Sequence, residues 1–337
     1  MNPAEGQAEE RLKSRMTDLF GVGKCKALMP LQGGYACQNF DATFEGGRFF
    51  LKQYRRHISD WLSEIKSAER FFASHGVPVI LPLRDRLGRD AFWIEGNWYS
   101  LFPYVDGRVP NIATMNDATV RSLARTLAHM HRVGLQVPSP RRFQPLHLWS
   151  ADTFRLEFVE LEQSLLNRAR RSPTDEYMLE SLYRKRELVD GNRLQPDDFP
   201  LPNDRLLHGD FIYQNTFVDG VGDVTHVYDF EKACYGPRAY DLARCLLINC
   251  FDDGWTPANY ARARTFLTGY REQYPIGFDE FAHGVAMYVT HIAHMCWIEA
   301  KYILYDSAFY LDMHQAHMKR LSEIGGDFHG FASRVFA

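Results

Sequence analysis

Two short motifs with polar side chains most constrain what this chain can become. The first, residues 207–215, contains Asp210 and, five positions later, Asn215, and the second, residues 224–231, contains Asp229. Each follows an apolar run typical of a buried strand. A carboxylate beside a hydroxyl can orient it and take its proton, whereas an amide oxygen and a second carboxylate suit magnesium on a nucleotide. The motif pair therefore predicts the chemistry of phosphoryl transfer.

The sequence around these motifs resembles the aminoglycoside phosphotransferase and choline kinase superfamily, which includes type II homoserine kinases and CotS-like proteins. Protein kinases carry H-R-D-x-x-x-x-N and a later Asp-Phe-Gly. Here Gly209 stands in place of the arginine, Glu231 stands in place of the glycine, and the segment 236–243 follows. The resemblance implies ATP and Mg²⁺ as cofactors, with Asp210 as the catalytic base and with Asn215 and Asp229 as the metal ligands.

Three further residues are expected to support these groups. The resemblance implies that Asp241 is a structural acid behind the catalytic loop and that Glu231 assists near the metal. His208 is expected to brace the loop by hydrogen bonds, because Asp210 already fills the role of base and a buried histidine usually has a structural partner.

The N-terminal third is expected to bind the nucleotide. Gly33 and Gly34 occupy the position of the family's phosphate-covering hairpin, where glycine lets backbone N–H groups approach phosphate. Lys52 ends an apolar strand and is the candidate for the α- and β-phosphates. Its predicted acidic partner on the following helix is Glu64, which fits the family's spacing better than Glu69.

The resemblance places a hinge after the next two strands, where backbone groups of Ser100, Leu101 and Phe102 would meet the adenine edge. It implies an α+β, bilobal protein-kinase-like fold, with a small β-rich N-lobe at 1–103 and a large, mostly helical C-lobe at 104–337. Apolar periodicity and cap residues predict long helices in the second lobe. Their predicted ranges are 118–133, 153–170, 175–189, 243–249, 257–274, 278–306 and 310–324.

Composition excludes several other classes. The chain has 337 residues, of which 45% are hydrophobic, and a net charge of −3. This charge and the absence of a long basic run predict no nucleic-acid partner. Residues 1–15 lack the apolar core of a secretory signal, and histidines and charges interrupt or follow the most apolar late segment, so we expect a cytoplasmic protein with no membrane partner.

The acceptor is expected to be a small molecule with a hydroxyl group: an amino alcohol, homoserine, a sugar or an aminoglycoside. Acidic and aromatic side chains in the helical lobe favour an acceptor that carries an amine. The candidates are Asp252, Asp253, Trp255, Trp297, Glu299 and Tyr302. Two alternatives stay open, a protein serine/threonine kinase of the same superfamily and a CotS-like coat or scaffold protein that binds nucleotide without turnover.

Overall fold

A computed structural model describes residues 3–31, 38–54, 59–138 and 142–337. Contacts divide the chain into two compact units: Met1–Val109 with Gln214–Gly220 and Val224–Lys232, and Pro110–Tyr213 with Val221–Asp223 and Ala233–Ala337. The strands are β1 (Cys25–Leu31), β2 (Gln38–Phe44), β3 (Gly47–Tyr54), β4 (Phe92–Ile94), β5 (Asn97–Pro103), β6 (Arg205–Leu207), β7 (Thr216–Val218), β8 (Val224–Val227) and β9 (Cys234–Gly236). The helices are α1 (Pro3–Leu19), α2 (Ser59–Ser74), α3 (Asp117–Gly134), α4 (Ala151–Leu166), α5 (Pro173–Asn192), α6 (Arg238–Phe251), α7 (Pro257–Gln273), α8 (Phe278–His294), α9 (Trp297–Tyr305), α10 (Leu311–Ile324) and α11 (Phe328–Phe336).

An antiparallel sheet forms the base of the first unit. Its order within the described residues is β1-β2-β3-β5-β4. Alternation along the strands sends one set of side chains into a core that also receives α1. That core contains Met16, Phe20, Phe44, Leu51 and Leu101.

The β7–β8 hairpin comes late in the sequence but belongs to the first unit. Val227 forms a parallel bridge with Val79, and Val218 forms an antiparallel bridge with Arg108. Phe230 follows the hairpin, is 1% exposed, and packs on Phe72 of α2. A division of the chain at residue 103 therefore does not describe this unit, since a later segment folds with it.

The second unit is mostly helical, and the predicted α+β class is confirmed. The helix predicted at 118–133 is α3, and the one predicted at 257–274 is α7. Helix α5 begins as its sequence predicts, because Ser172 and Asp175 form a reciprocal capping box and Pro173 occupies the first turn. Within the described residues, no helix is both long and apolar enough to cross a membrane.

The single helix predicted at 278–306 is wrong, because the chain breaks between α8 and α9. Met295 has an extended backbone conformation with φ −82° and ψ 116°. The break has no proline or glycine to signal it. Its physical reason is tertiary: the ammonium of Lys185, on α5, donates to the Met295 carbonyl oxygen at 2.6 Å. Helix α11 also lies outside the predicted set.

The same lysine is part of a buried ion-pair network. Lys185 pairs with Glu299 on α9, and His314 Nε2 on α10 lies 3.0 Å from the same carboxylate. All three side chains are at most 2% exposed. Burial alone would raise the pKa of Glu299, but Lys185 and His314 together lower it to about 2.

Replacing Glu299 with leucine should cost about 3–5 kcal/mol of unfolding free energy, because it leaves the Lys185 charge buried without its partner. Urea titration at pH 7 measures this. In the native protein, the stability from Glu299 is complete above its ordinary pKa near 4.5 and is lost as the pH falls towards about 2. The control is Glu323→Gln, which removes the surface pair with Lys319 and should change stability by less than about 1 kcal/mol. Equal losses in both variants would contradict the network's role.

Candidate active site

Strand β3 positions Lys52 in the first unit. Its backbone lies opposite Asn39 on β2 and Ser100 on β5, so the sheet fixes where the side chain begins. Lys52 Nζ lies 2.9 Å from Asp229 Oδ1 and 2.5 Å from Glu231 Oε1. The lysine side chain is 6% exposed, so it is a buried cation balanced by two carboxylates. The structure thus brings together three of the predicted site residues.

The β7–β8 hairpin positions the two predicted metal ligands. Thr216 lies opposite Val227 in the hairpin. One residue further from the turn, the Tyr228 N–H donates to the Asn215 carbonyl at 3.1 Å. Asp229 follows directly, with φ +66°, a left-handed conformation that aspartate tolerates better than most residues. Asn215 and Asp229 therefore lie at the same open end of the hairpin. An amide oxygen and a carboxylate are donors that Mg²⁺ accepts alongside phosphate oxygens and water.

Helix α2 carries two glutamates with different surroundings. Glu64, the predicted partner of Lys52, is half-buried. Glu69 is 4% exposed and pairs with Lys66 at 2.9 Å. Burial raises the pKa of Glu69, and the nearby charges of Lys66 and Lys52 oppose that rise. The partnership of Lys52 with Glu64 stays a prediction, and Glu69 is a second acidic group within the electrostatic reach of Lys52.

The other nucleotide predictions are placed only in part. Gly33 and Gly34 lie outside the described residues. Ser100, Leu101 and Phe102 are buried in β5, and the Leu101 carbonyl already accepts from the Leu83 N–H at 2.7 Å. The predicted adenine contacts at these residues therefore stay a prediction.

In the second unit, the loop after β6 carries Asp210. Gly209 has φ +75°, a left-handed conformation that glycine adopts without strain, which explains glycine where protein kinases have arginine. His208 is fully buried, and its Nδ1 accepts from the Asp210 N–H at 3.2 Å. His208 thus contacts the loop backbone in the way expected for a brace, with its remaining ring nitrogen as the protonated one.

Asn249 on α6 holds the same loop, and the sequence analysis did not identify it. Its side-chain oxygen accepts from the Tyr213 N–H at 2.6 Å, and its side-chain nitrogen donates to the Phe211 carbonyl at 3.3 Å. The residue is 1% exposed. An asparagine inside the apolar run of α6 is a signal that could have found it, because a buried amide needs partners.

Arg244, also on α6 and also missed, lies against the carboxylate of Asp210, the predicted base. Its Nη2 donates to Asp210 Oδ1, and the two side chains are 14% and 16% exposed. Burial disfavours the charged form of Arg244, but Asp210 and other nearby groups together raise the pKa of the arginine above its usual value. Arg244 therefore stays charged beside Asp210.

Asp241, the predicted structural acid, contacts a histidine of α3. Its Oδ2 lies 3.1 Å from His131 Nε2 on α3, and His131 Nδ1 lies 2.9 Å from the Tyr270 hydroxyl on α7. Asp241 and His131 are fully buried, and burial lowers the pKa of the histidine. A neutral imidazole ring can donate to Asp241 and accept from Tyr270, so these two hydrogen bonds of His131 join α6, α3 and α7.

The candidate acceptor ligands are mostly engaged within the second unit. Asp252 pairs with Arg320, and Asp253 pairs with Arg262. Glu299 is fully buried in the network with Lys185, so it is not retained among the proposed acceptor ligands. The aromatic candidates also have partners: Trp255 stacks on Phe251, Trp297 packs edge-on against Tyr310, and the Tyr302 hydroxyl donates to Asp175. The acids therefore lack the uncompensated charge expected of a site for an amine.

Comparison with known proteins gives one family. The model of the phosphotransferase enzyme family matches residues 27–276. A curated relative, homoserine kinase of Rhodopseudomonas palustris strain TIE-1, is 25% identical over 264 residues, covering 78% of this chain and 75% of its own. The family match spans both polar motifs and Lys52.

Two solved structures share the fold. Spectinomycin phosphotransferase in complex with ADP and spectinomycin has a TM-score of 0.65 at 15% identity, with 97% of each chain covered. An amicoumacin kinase in complex with AMP-PNP and Ca²⁺ has a TM-score of 0.65 at 18% identity, covering 98% of this chain and 99% of its own. At these identities the likeness shows the protein-kinase-like fold alone.

Asn249→Ala should loosen the Asp210 loop, because two backbone groups lose their partners at about 1–3 kcal/mol each. We expect faster hydrogen exchange at the Tyr213 amide and a kcat about 10- to 100-fold lower, as 1.4 kcal/mol corresponds to tenfold. Asn259→Ala is the matched control, because this buried asparagine bonds to the Cys250 carbonyl and the Thr256 N–H instead. The control should lose stability but keep loop protection. Equal hydrogen-exchange rates at the Tyr213 amide in both variants would show that the two Asn249 hydrogen bonds do not hold the loop.

Proposed function

Since the chain belongs to the phosphotransferase enzyme family, whose model matches residues 27–276, we propose that it transfers the γ-phosphoryl group of ATP to a hydroxyl of a small molecule. The observation that carries this proposal is the buried ammonium of Lys52 between Asp229 and Glu231, at the end of the hairpin that bears Asn215. A buried cation with two acidic neighbours suits a site for phosphate and metal. Use of ATP also implies a cytoplasmic enzyme.

In this proposal, the first unit handles the nucleotide. Lys52 binds the α- and β-phosphates, and Asn215 and Asp229 would hold Mg²⁺, which neutralises phosphate charge when bound. Glu231 keeps Lys52 oriented. Backbone groups near Gly33 and Gly34 would cover the phosphates. The complexes of related folds with ADP, and with AMP-PNP and Ca²⁺, support nucleotide and divalent-metal binding.

Asp210 performs the chemistry on the acceptor. It accepts a hydrogen bond from the hydroxyl and takes its proton as the oxygen bonds to the γ-phosphorus and ADP leaves. His208 and Asn249 fix the loop backbone on either side of Asp210, which holds the carboxylate in one orientation.

The acceptor is a small hydroxyl compound in this proposal: an amino alcohol, a homoserine-like molecule, a sugar or an aminoglycoside. The curated relative that matches 78% of this chain is named homoserine kinase, and the two solved structures are a spectinomycin phosphotransferase and an amicoumacin kinase. These names support a small-molecule acceptor over a protein substrate or a non-catalytic scaffold role.

Asp210→Asn should lower acceptor-dependent ATP consumption about 10²- to 10⁴-fold, because the proton loses its base. The assay measures ADP release with Mg²⁺ and ATP against amino alcohols, homoserine, sugars and aminoglycosides. Asp152→Asn is the control, because this carboxylate is 90% exposed and pairs only with Arg155 among the interactions described for it. Turnover that survives in Asp210→Asn would refute the role of the base.

Lys52→Met should weaken nucleotide binding about 10- to 100-fold, because a charge-assisted contact to phosphate contributes about 1.5–3 kcal/mol. Calorimetric titration with AMP-PNP and Mg²⁺ measures this independently of any acceptor. Lys319→Met is the control, because its ammonium is exposed and pairs with Glu323 on α10. Unchanged AMP-PNP affinity in Lys52→Met would contradict the phosphate role.

A further inference from the structure

Arg244 has a donor that the protein does not use. While Nη2 binds Asp210, Nη1 is buried and has no hydrogen-bond partner among the described residues. A guanidinium presents its donors as a planar fork, and a buried donor without a partner is unfavourable because it has lost its hydrogen bonds to water. A donor left unsatisfied directly beside a catalytic carboxylate is readily explained if a ligand completes it.

The surrounding charges show what kind of ligand group would fit. Asp252, whose carboxylate also acts on Arg244 electrostatically, already pairs with Arg320. His291 is neutral at pH 7, since burial lowers its pKa to about 4, and burial also lowers the pKa of His317 well below its usual value. Of these three groups, the two histidines are neutral and the one carboxylate, Asp252, already has a cationic partner.

The tyrosines near Arg244 are neutral as well. Burial raises the pKa of Tyr240 and of Tyr288, so neither supplies a negative charge at neutral pH. Asp210 is then the counter-charge that Arg244 contacts directly. When Asp210 takes the proton of the acceptor hydroxyl, Arg244 loses that counter-charge while still buried, which is costly unless a second anion is present.

We propose that Arg244 recognises a carboxylate on the phosphate acceptor through Nη1, so that the acceptor is a hydroxy acid. This inference rests on the proposed function and names its substrate class. The hydroxyl lies against Asp210, and the carboxylate of the same molecule lies on the other arm of the guanidinium. The proton passes from the hydroxyl to Asp210, the oxygen bonds to the γ-phosphorus, and ADP leaves, while the carboxylate neutralises Arg244. An amine on the acceptor is not required.

This assignment changes the acceptor expected from sequence. Asp252 and Asp253, which favoured an amine, are paired with arginines. The unsatisfied group beside Asp210 is instead Nη1 of Arg244, a cationic hydrogen-bond donor. The carboxylate would bind one arm of the guanidinium while Asp210 keeps the other, and such charge-assisted bonds are stronger than neutral ones.

The test uses matched pairs of acceptors that differ by one carboxylate: L-homoserine and 3-aminopropan-1-ol, L-serine and ethanolamine, and L-threonine and 1-aminopropan-2-ol. Each is assayed with native protein, Arg244→Gln and Arg244→Lys for kcat and KM. Arg244→Gln should lower kcat for every acceptor, because Asp210 loses its partner. It should also raise KM about 10- to 100-fold for the carboxylate-bearing member only, the loss expected of one charge-assisted bond.

Two controls separate recognition from damage to the fold. Arg125→Gln removes an exposed arginine pair with Glu272 in the same unit and should leave both constants unchanged. Arg244→Lys keeps the positive charge but not the planar pair of donors. Compared with Arg244→Gln, it should bring kcat closer to the native value than KM. Thermal unfolding of each variant identifies any that fail to fold, and calorimetric binding of the hydroxy acids with AMP-PNP and Mg²⁺ reports recognition without turnover.

The outcomes are distinguishable. Turnover of amino alcohols, sugars or aminoglycosides in preference to every hydroxy acid would overturn this inference and leave the proposed function standing. An equal change in KM for both members of each pair would also overturn it, since Arg244 would then only position Asp210. If no acceptor is turned over and no hydroxy acid binds native protein more tightly than Arg244→Gln, the inference fails. Failure of the native protein to bind AMP-PNP would instead count against the proposed function.

Discussion

The ion pairs of one buried lysine join distant segments of the first unit. Lys52 comes from the central part of the sheet, whereas Asp229 and Glu231 come from a segment far later in the sequence. A buried ammonium is tolerated only when carboxylates compensate it. The ion pairs therefore join β3 to the segment after the β7–β8 hairpin, and residues 224–232 belong to the same unit as β3.

A second set of contacts supports the loop that carries Asp210. The loop has little regular structure, and three of its backbone polar groups bond to side chains: the Asp210 N–H to His208, and the Tyr213 N–H and the Phe211 carbonyl to Asn249. Asn249 and Arg244 both come from α6, and Asp241 on that helix is held by His131 on α3. One helix thus supports the backbone of the loop, the carboxylate of Asp210 and the packing beneath them.

The distribution of paired charge bears most directly on specificity. Acidic residues in the helical unit would attract an amine only if their charge were uncompensated, and Asp252, Asp253 and Glu299 each have a cationic partner. Arg244 is the reverse case, a cation that binds Asp210 through Nη2 while its buried Nη1 has no hydrogen-bond partner among the described residues. Composition does not distinguish these situations, because a carboxylate in a salt bridge and a free one are the same letter in the sequence.

The sequence by itself determined the fold class, the family and most helices, because motif spacing, apolar periodicity and caps are local properties. It also predicted Lys52, Asp210, Asn215 and Asp229 as the chemistry-bearing positions. It also accounts for Gly209, where the backbone must be left-handed. Only the tertiary structure decided which charges meet: Lys52 with Asp229 and Glu231, Arg244 with Asp210, and Lys185 with Glu299 and the helix break at Met295. The physical reason is that a charge's role depends on its partners and burial, and these are set by contacts between residues far apart in the chain.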